Sequence, residues 1–227
     1  MDVDAAGSLN PKRPRPRVVQ RLLADLPRAV ARWDDSDPAL AALARRPPPG
    51  PRPGARHSAF SMLARSIVHQ QVSVAAGRTI YGRLRAACGG RVAPWPVVRL
   101  GERGLRSAGL SPQKARYVHD LARKVDDGEV RLRTLPGMDD AEAIETLTRV
   151  KGIGVWTAEM FLLFHLQRPD VLAVDDLGLQ LGAAYAFGVP RPRARAWLER
   201  RRATWSPFGS LASLTLWDTL HRARGGV

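Results

Sequence analysis

A chain of 227 residues with 44% hydrophobic side chains is long enough to bury one core, or two smaller cores that share a cleft. Its formal net charge is +15, and since only Lys12, Lys114, Lys124 and Lys151 are lysines, arginine supplies nearly all of it; this favours a polyanionic partner, because neutralising phosphates releases counterions, although charge also serves plain solubility. A single cysteine, Cys88, excludes an internal disulfide, a cysteine-based zinc site and a four-cysteine iron–sulfur cluster, and no apolar run reaches the roughly 18 residues of a membrane span.

Met1–Asn10 is too polar and acidic for a secretory signal, so a soluble protein of the cell interior is expected. Residues 1–17 are rich in Pro and Arg and read as a disordered basic tail. Apolar residues Leu22, Leu23, Leu26 and Val30 share one face of a helix over Val18–Trp33. A short helix follows near Pro38–Arg45, and Pro47–Gly54 reads as an irregular linker. A helix from Ser58 carries Phe60, Leu63 and Ile67 on one face and ends at His69-Gln-Gln-Val-Ser73, where Ser73 caps a further helix to Cys88. Further helices are expected over Val97–Arg106, from Ser111-Pro112 to Asp126, and to Arg149 behind an Asp139/Glu142 capping box. Asp175–Phe187, Arg193–Ala203 and a last helix opened by Ser206-Pro207 complete an all-α chain.

Two segments carry chemistry. Leu147–Leu163 reads as helix, tight turn, helix, with Gly152 and Gly154 on either side of Ile153. Glycine there permits a positive φ and leaves room for a phosphate at the start of the second helix, whose dipole favours an anion. Ile153 anchors the turn in the core, while Trp156 and Met160 lie one turn apart on one helix face. Downstream, an apolar run delivers Asp175 and Asp176 to a helix start. Capping alone explains such aspartates, but one can cap while the other faces a cleft. The five histidines lack metal-ligand spacing and read as structural or surface groups.

Four blocks, Ser66–Ser73, Gly109–Lys114, Val150–Glu159 and Val174–Gly178, resemble in order and spacing the helix-hairpin-helix Gly/Pro-Asp superfamily of base-excision glycosylases, in its 3-methyladenine DNA glycosylase II branch. The resemblance runs from Ala59 to Trp217. It implies two helical subdomains flanking a cleft, one near 57–168 and the other from 18–56 plus 169–227. It further implies a monofunctional hydrolase that cuts alkylated bases such as 3-methyladenine and 7-methylguanine from duplex DNA and leaves an abasic site. By position the catalytic carboxylate is Asp176, and the base pocket takes Trp156, Met160, Leu177 and Trp217. The DNA contacts are Gln71 (filling the gap of the extruded base), Lys114, Lys151, Gly152 and Gly154. No cofactor is required, although the hairpin carbonyls of Thr148, Val150 and Ile153 can hold a monovalent cation. The partner is double-stranded DNA and not a membrane; a monomer in the cytoplasm, at the nucleoid, is expected. Trp205-Ser-Pro-Phe-Gly-Ser210 departs from the family pattern, with Gly209 where an Arg is usual. Bifunctional relatives carry a Schiff-base lysine where this chain has Trp156. The rival reading is a noncatalytic module that merely grips DNA backbone.

Overall fold

Short polar side chains start most of the helices, each by accepting a backbone N–H that the first turn leaves unpaired. In the computed structural model, which describes residues 22–46 and 57–225, α1 spans Leu26–Ser36 and α2 Pro38–Ala44. The readings made for residues 1–21 and 47–56 lie outside this range. Asp37 caps α2 and also accepts the indole N–H of Trp205 at 2.9 Å, which ties the first helices to the last ones. Ser58 caps α3 (Ala59–His69) and Ser73 caps α4 (Val74–Ala87). Helix α5 covers Pro94–Ser107, longer than expected because Pro94 opens it and a bend at Gly101 (φ 61°) joins two pieces. Ser111 caps α6 (Pro112–Asp126), and the Asp139–Glu142 capping box forms at the start of α7 (Asp140–Thr148).

Helix α8 (Val155–Phe161) continues into a π-helical turn over Leu162–Leu166, ended by Gln167 at φ 58°. Such turns insert one residue and commonly lie at functional sites. Then come α9 (Leu177–Phe187), α10 (Ala194–Trp205) and α11 (Gly209–Ala223). The last helix begins two residues later than expected, with Phe208 rather than Ser206 at its N-cap position. Asp170, thirty-nine residues upstream, accepts the Gly209 N–H at 2.9 Å and the Ser206 hydroxyl at 2.6 Å, so the helix start is set from a distance. A Cβ at Gly209 would stand 2.8 Å from the Asp170 carboxylate, which is the local reason that no larger residue sits there.

The described residues contain no strand. Helices α3 to α8 pack as one group, and α1 and α2 pack with α9 to α11 as another. Trp33, Trp205, Leu40 and Leu198 fill the second group; Leu63, Ile67, Leu121 and Leu147 fill the first. Burying each such side chain contributes about 1.5–3 kcal/mol. The segment Val171–Val174 is buried and runs between the groups, delivering Asp175 and Asp176 to the surface where they meet.

Candidate active site

Helices α7 and α8 join through a tight turn. Ile153, 3% exposed, is seated in the core, and its N–H donates to the Val150 carbonyl at 3.1 Å. Gly152 lies at φ +82°, and a Cβ there would meet the Tyr117 ring at 2.1 Å, so both conformation and space require glycine. The Lys151 N–H donates to Asp120 Oδ2 at 2.8 Å, while the Lys151 residue stays exposed. No side chain caps α8, where Gly154 stands at the N-cap position.

Asp176 occupies the N-cap of α9 in extended conformation, and three N–H groups converge on its carboxylate. Leu179 N–H donates to Oδ1 at 2.7 Å and the Trp217 indole to the same oxygen at 2.8 Å; the Trp156 indole donates to Oδ2 at 2.9 Å. The capping role and the cleft-facing role expected to be divided between two aspartates thus fall to one. Asp175 turns outward to Arg195 at 2.6 Å, an exposed pair of little energetic weight. Trp217 is backed by Phe164, stacked 5.8 Å away at 22°. Trp156, Met160 and Phe164 recur every four residues along α8 and its π turn. Trp156 and Leu177 are 45% and 53% exposed, so apolar surface next to the Asp176 carboxylate is open to a ligand.

Gln71 sits between α3 and α4 at φ +53°, a conformation costly for a residue with a Cβ. Val72 and Val74 beside it are exposed. Its neighbour Gln70 donates through Nε2 to the Gly152 carbonyl at 2.8 Å. Lys114 points inward: its ammonium donates to the Val68 carbonyl at 2.8 Å, and burial pushes its pKa down. Lys124 donates to the Arg149 carbonyl at 2.6 Å, next to the carbonyls of Thr148 and Val150. Among the described residues no group of three His, Cys, Asp or Glu side chains is placed to hold a metal ion.

Sequence reasoning missed several residues here. Glu159 lies on α8, one turn beyond Trp156, 9% exposed and with Oε2 unpartnered. Burial raises its pKa to about 7; Arg202 opposes the shift, while Asp175, Glu199 and Asp176 add to it. Phe164, Gln70, Tyr117 and Asp120 also escaped notice. A spacing of four residues from Trp156 and Met160 pointed to Phe164, whereas the others act across long sequence separations. His57 and His165 are both held below the usual histidine range, chiefly by burial. His165 stacks on Phe161 at 4.7 Å.

A helix-hairpin-helix turn feeding an indole-flanked aspartate defines a class of protein. The chain belongs to the HhH-GPD superfamily of base excision DNA repair proteins, whose family model matches residues 64–207. The structure of DNA-3-methyladenine glycosidase from Bacillus halodurans has TM-score 0.76 at 33% identity, covering 87% of this chain and 91% of that one. The 3-methyladenine DNA glycosylase of Schizosaccharomyces pombe, solved in complex with abasic DNA, has TM-score 0.68 at 26% identity, covering 84% and 95%. DNA-3-methyladenine glycosylase 2 of Escherichia coli is 30% identical over 182 residues, or 74% of this chain. The chain spans 61% of that protein's length and 60% of a Bacillus subtilis relative's.

Proposed function

We propose that this protein is a monofunctional DNA glycosylase that hydrolyses the N-glycosidic bond of alkylated bases in duplex DNA and leaves an abasic site. The observation that carries this reading is the Asp176 carboxylate, held by Trp156, Trp217 and the first turn of α9. Breaking the bond develops positive charge on the deoxyribose, and a fixed carboxylate stabilises that cation and orients the attacking water. Three N–H donors hold Asp176 before substrate arrives, so little reorganisation is needed in the reaction.

The base must leave the stack to reach this site. An alkylated purine such as 3-methyladenine or 7-methylguanine is a cation, and the indole faces attract it by roughly 0.5–2 kcal/mol. It departs neutral, so no strong general acid is needed. Met160 and Leu177 add apolar surface with little hydrogen-bonding discrimination, and selection then follows bond lability. Trp156 stands where a Schiff-base lysine would be needed, and the ammonium groups of Lys114 and Lys124 are engaged on backbone carbonyls; both observations favour hydrolysis without strand cleavage. The neutral hairpin carbonyls of Thr148, Val150 and Ile153 suit a hard monovalent ion. Such an ion would add positive charge beside a phosphate, and no chemical step depends on it.

Duplexes containing a single 3-methyladenine or 7-methylguanine test the proposal. Free base should be released, with the strand intact until alkali treatment. Tight duplex binding without base release would establish the noncatalytic reading instead, and borohydride trapping of a covalent adduct would overturn the monofunctional assignment.

A further inference from the structure

One face of α6 joins two segments that lie far apart in the chain. Lys114, Tyr117, Asp120 and Lys124 recur three or four residues apart, the spacing that stacks side chains along a helix. Lys114 Nζ donates to the Val68 carbonyl, at the end of the helix that leads into Gln71. There the ammonium also meets the negative end of the α3 dipole. The Tyr117 ring fills the space that Gly152 leaves. Asp120 accepts the Lys151 N–H at 2.8 Å, and Lys124 donates to the Arg149 carbonyl at 2.6 Å. Gln70 closes the circuit, donating to the Gly152 carbonyl at 2.8 Å across 82 residues of sequence.

Each of these contacts ends on backbone, so together they fix the path of both segments. Gln71 itself has no conformational preference for φ +53°, and the residues on its N-terminal side are the ones tied down. On the glycosylase reading, on which this inference rests, Gln71 enters the stack while the hairpin holds a phosphate. Extrusion then needs the two segments in register, since slack between them lets the base fall back.

We propose that α6 is a brace tying the Gln71 wedge to the hairpin, and that Gln70 and Lys114 are positioning residues for base extrusion. Lys114, expected from sequence among the DNA contacts, then acts from behind the interface by holding the Val68 carbonyl.

Lys114→Met and Gln70→Glu in the full chain test this, since the first ends where the ammonium began and the second exchanges the donor amide for a carboxylate of the same length. Three readouts are needed: affinity for undamaged duplex over a salt series, fluorescence of 2-aminopurine beside an abasic-site analogue, and single-turnover release of 3-methyladenine at saturating enzyme. Lys114→Met should keep the wild-type salt slope, and both variants should give a smaller fluorescence rise and release base roughly 10–100-fold more slowly. Adding Gln71→Ala to Gln70→Glu should cost little more, because the wedge is already idle. A salt slope lowered by about one in Lys114→Met, with wild-type fluorescence and release, would make Lys114 a phosphate contact and overturn the brace. Losses that multiply between Gln70→Glu and Gln71→Ala would overturn it equally. Failure of the wild-type protein to release any alkylated base would sink the glycosylase reading, while the fluorescence and salt arms still decide the brace.

Discussion

At the scale of single residues, Asp176 concentrates two tasks in one carboxylate. Replacement by Asn keeps an oxygen for the Leu179 N–H but removes the charge and turns an NH2 group toward one of the indole donors. Base release by Asp176→Asn should fall by roughly 10²-fold or more while damaged-DNA binding survives. Asp175→Asn should cost far less, since Asp175 pairs outward with Arg195. Full activity in the first and loss in the second would move the catalytic role to Asp175. Glu159 makes a different prediction. Its pKa is raised from 4.5 to about 7 in the folded protein, so the native state binds more protons than the unfolded chain between those values. Stability attributable to this group therefore falls as pH rises through that window, and the full cost is present above pH 7. Glu159→Gln should melt near the wild-type temperature at pH 4.5 and progressively above it toward pH 8. A melting difference that stays flat with pH would contradict this.

Among the elements, the hairpin and the turn that carries Gln71 differ in what they demand of the backbone. Gly152 needs both its positive φ and the space occupied by Tyr117. Gly152→Ala should lose about 1–3 kcal/mol from the backbone conformation alone, with a further loss from displacing the ring; urea unfolding measures both. Gln71 is exposed and already strained, and alanine inherits the same φ. Gln71→Ala should leave the melting temperature nearly unchanged while weakening lesion-DNA binding and base release, though less than Asp176→Asn does. Parallel melting and single-turnover experiments separate the two quantities. A large stability loss in Gln71→Ala would mark the residue as structural.

Taken as a whole, the chain carries net charge +15, nearly all of it from arginine, and it keeps the apolar side chains Trp156 and Leu177 exposed beside Asp176. On the proposed function the first property drives encounter with DNA and carries no sequence information; it predicts a steep loss of affinity with added salt. The second, on the proposed function, governs which base stays in the site. In a panel of single-lesion duplexes, 3-methyladenine and 7-methylguanine should be released and 8-oxoguanine largely left in place. Efficient release of 8-oxoguanine without 3-methyladenine would change the substrate class and leave the fold untouched.

Much of this was legible in the chain itself. Ser58, Ser73, Ser111 and Asp139 marked helix starts because a cap reaches only its own first turn. Gly152 and Gly154 around Ile153 marked the hairpin for the same local reason, and the apolar run before Asp175 and Asp176 marked a helix start beside a buried segment. What the tertiary structure decided depends on partners far away in sequence. Asp170 sets where α11 begins, Gln70 reaches Gly152, Lys114 turns inward to Val68, and two indoles 20 and 41 residues away orient Asp176. Periodicity and caps are written in neighbouring residues and survive in isolation, whereas a hydrogen bond between distant segments exists only once packing has brought its donor and acceptor together.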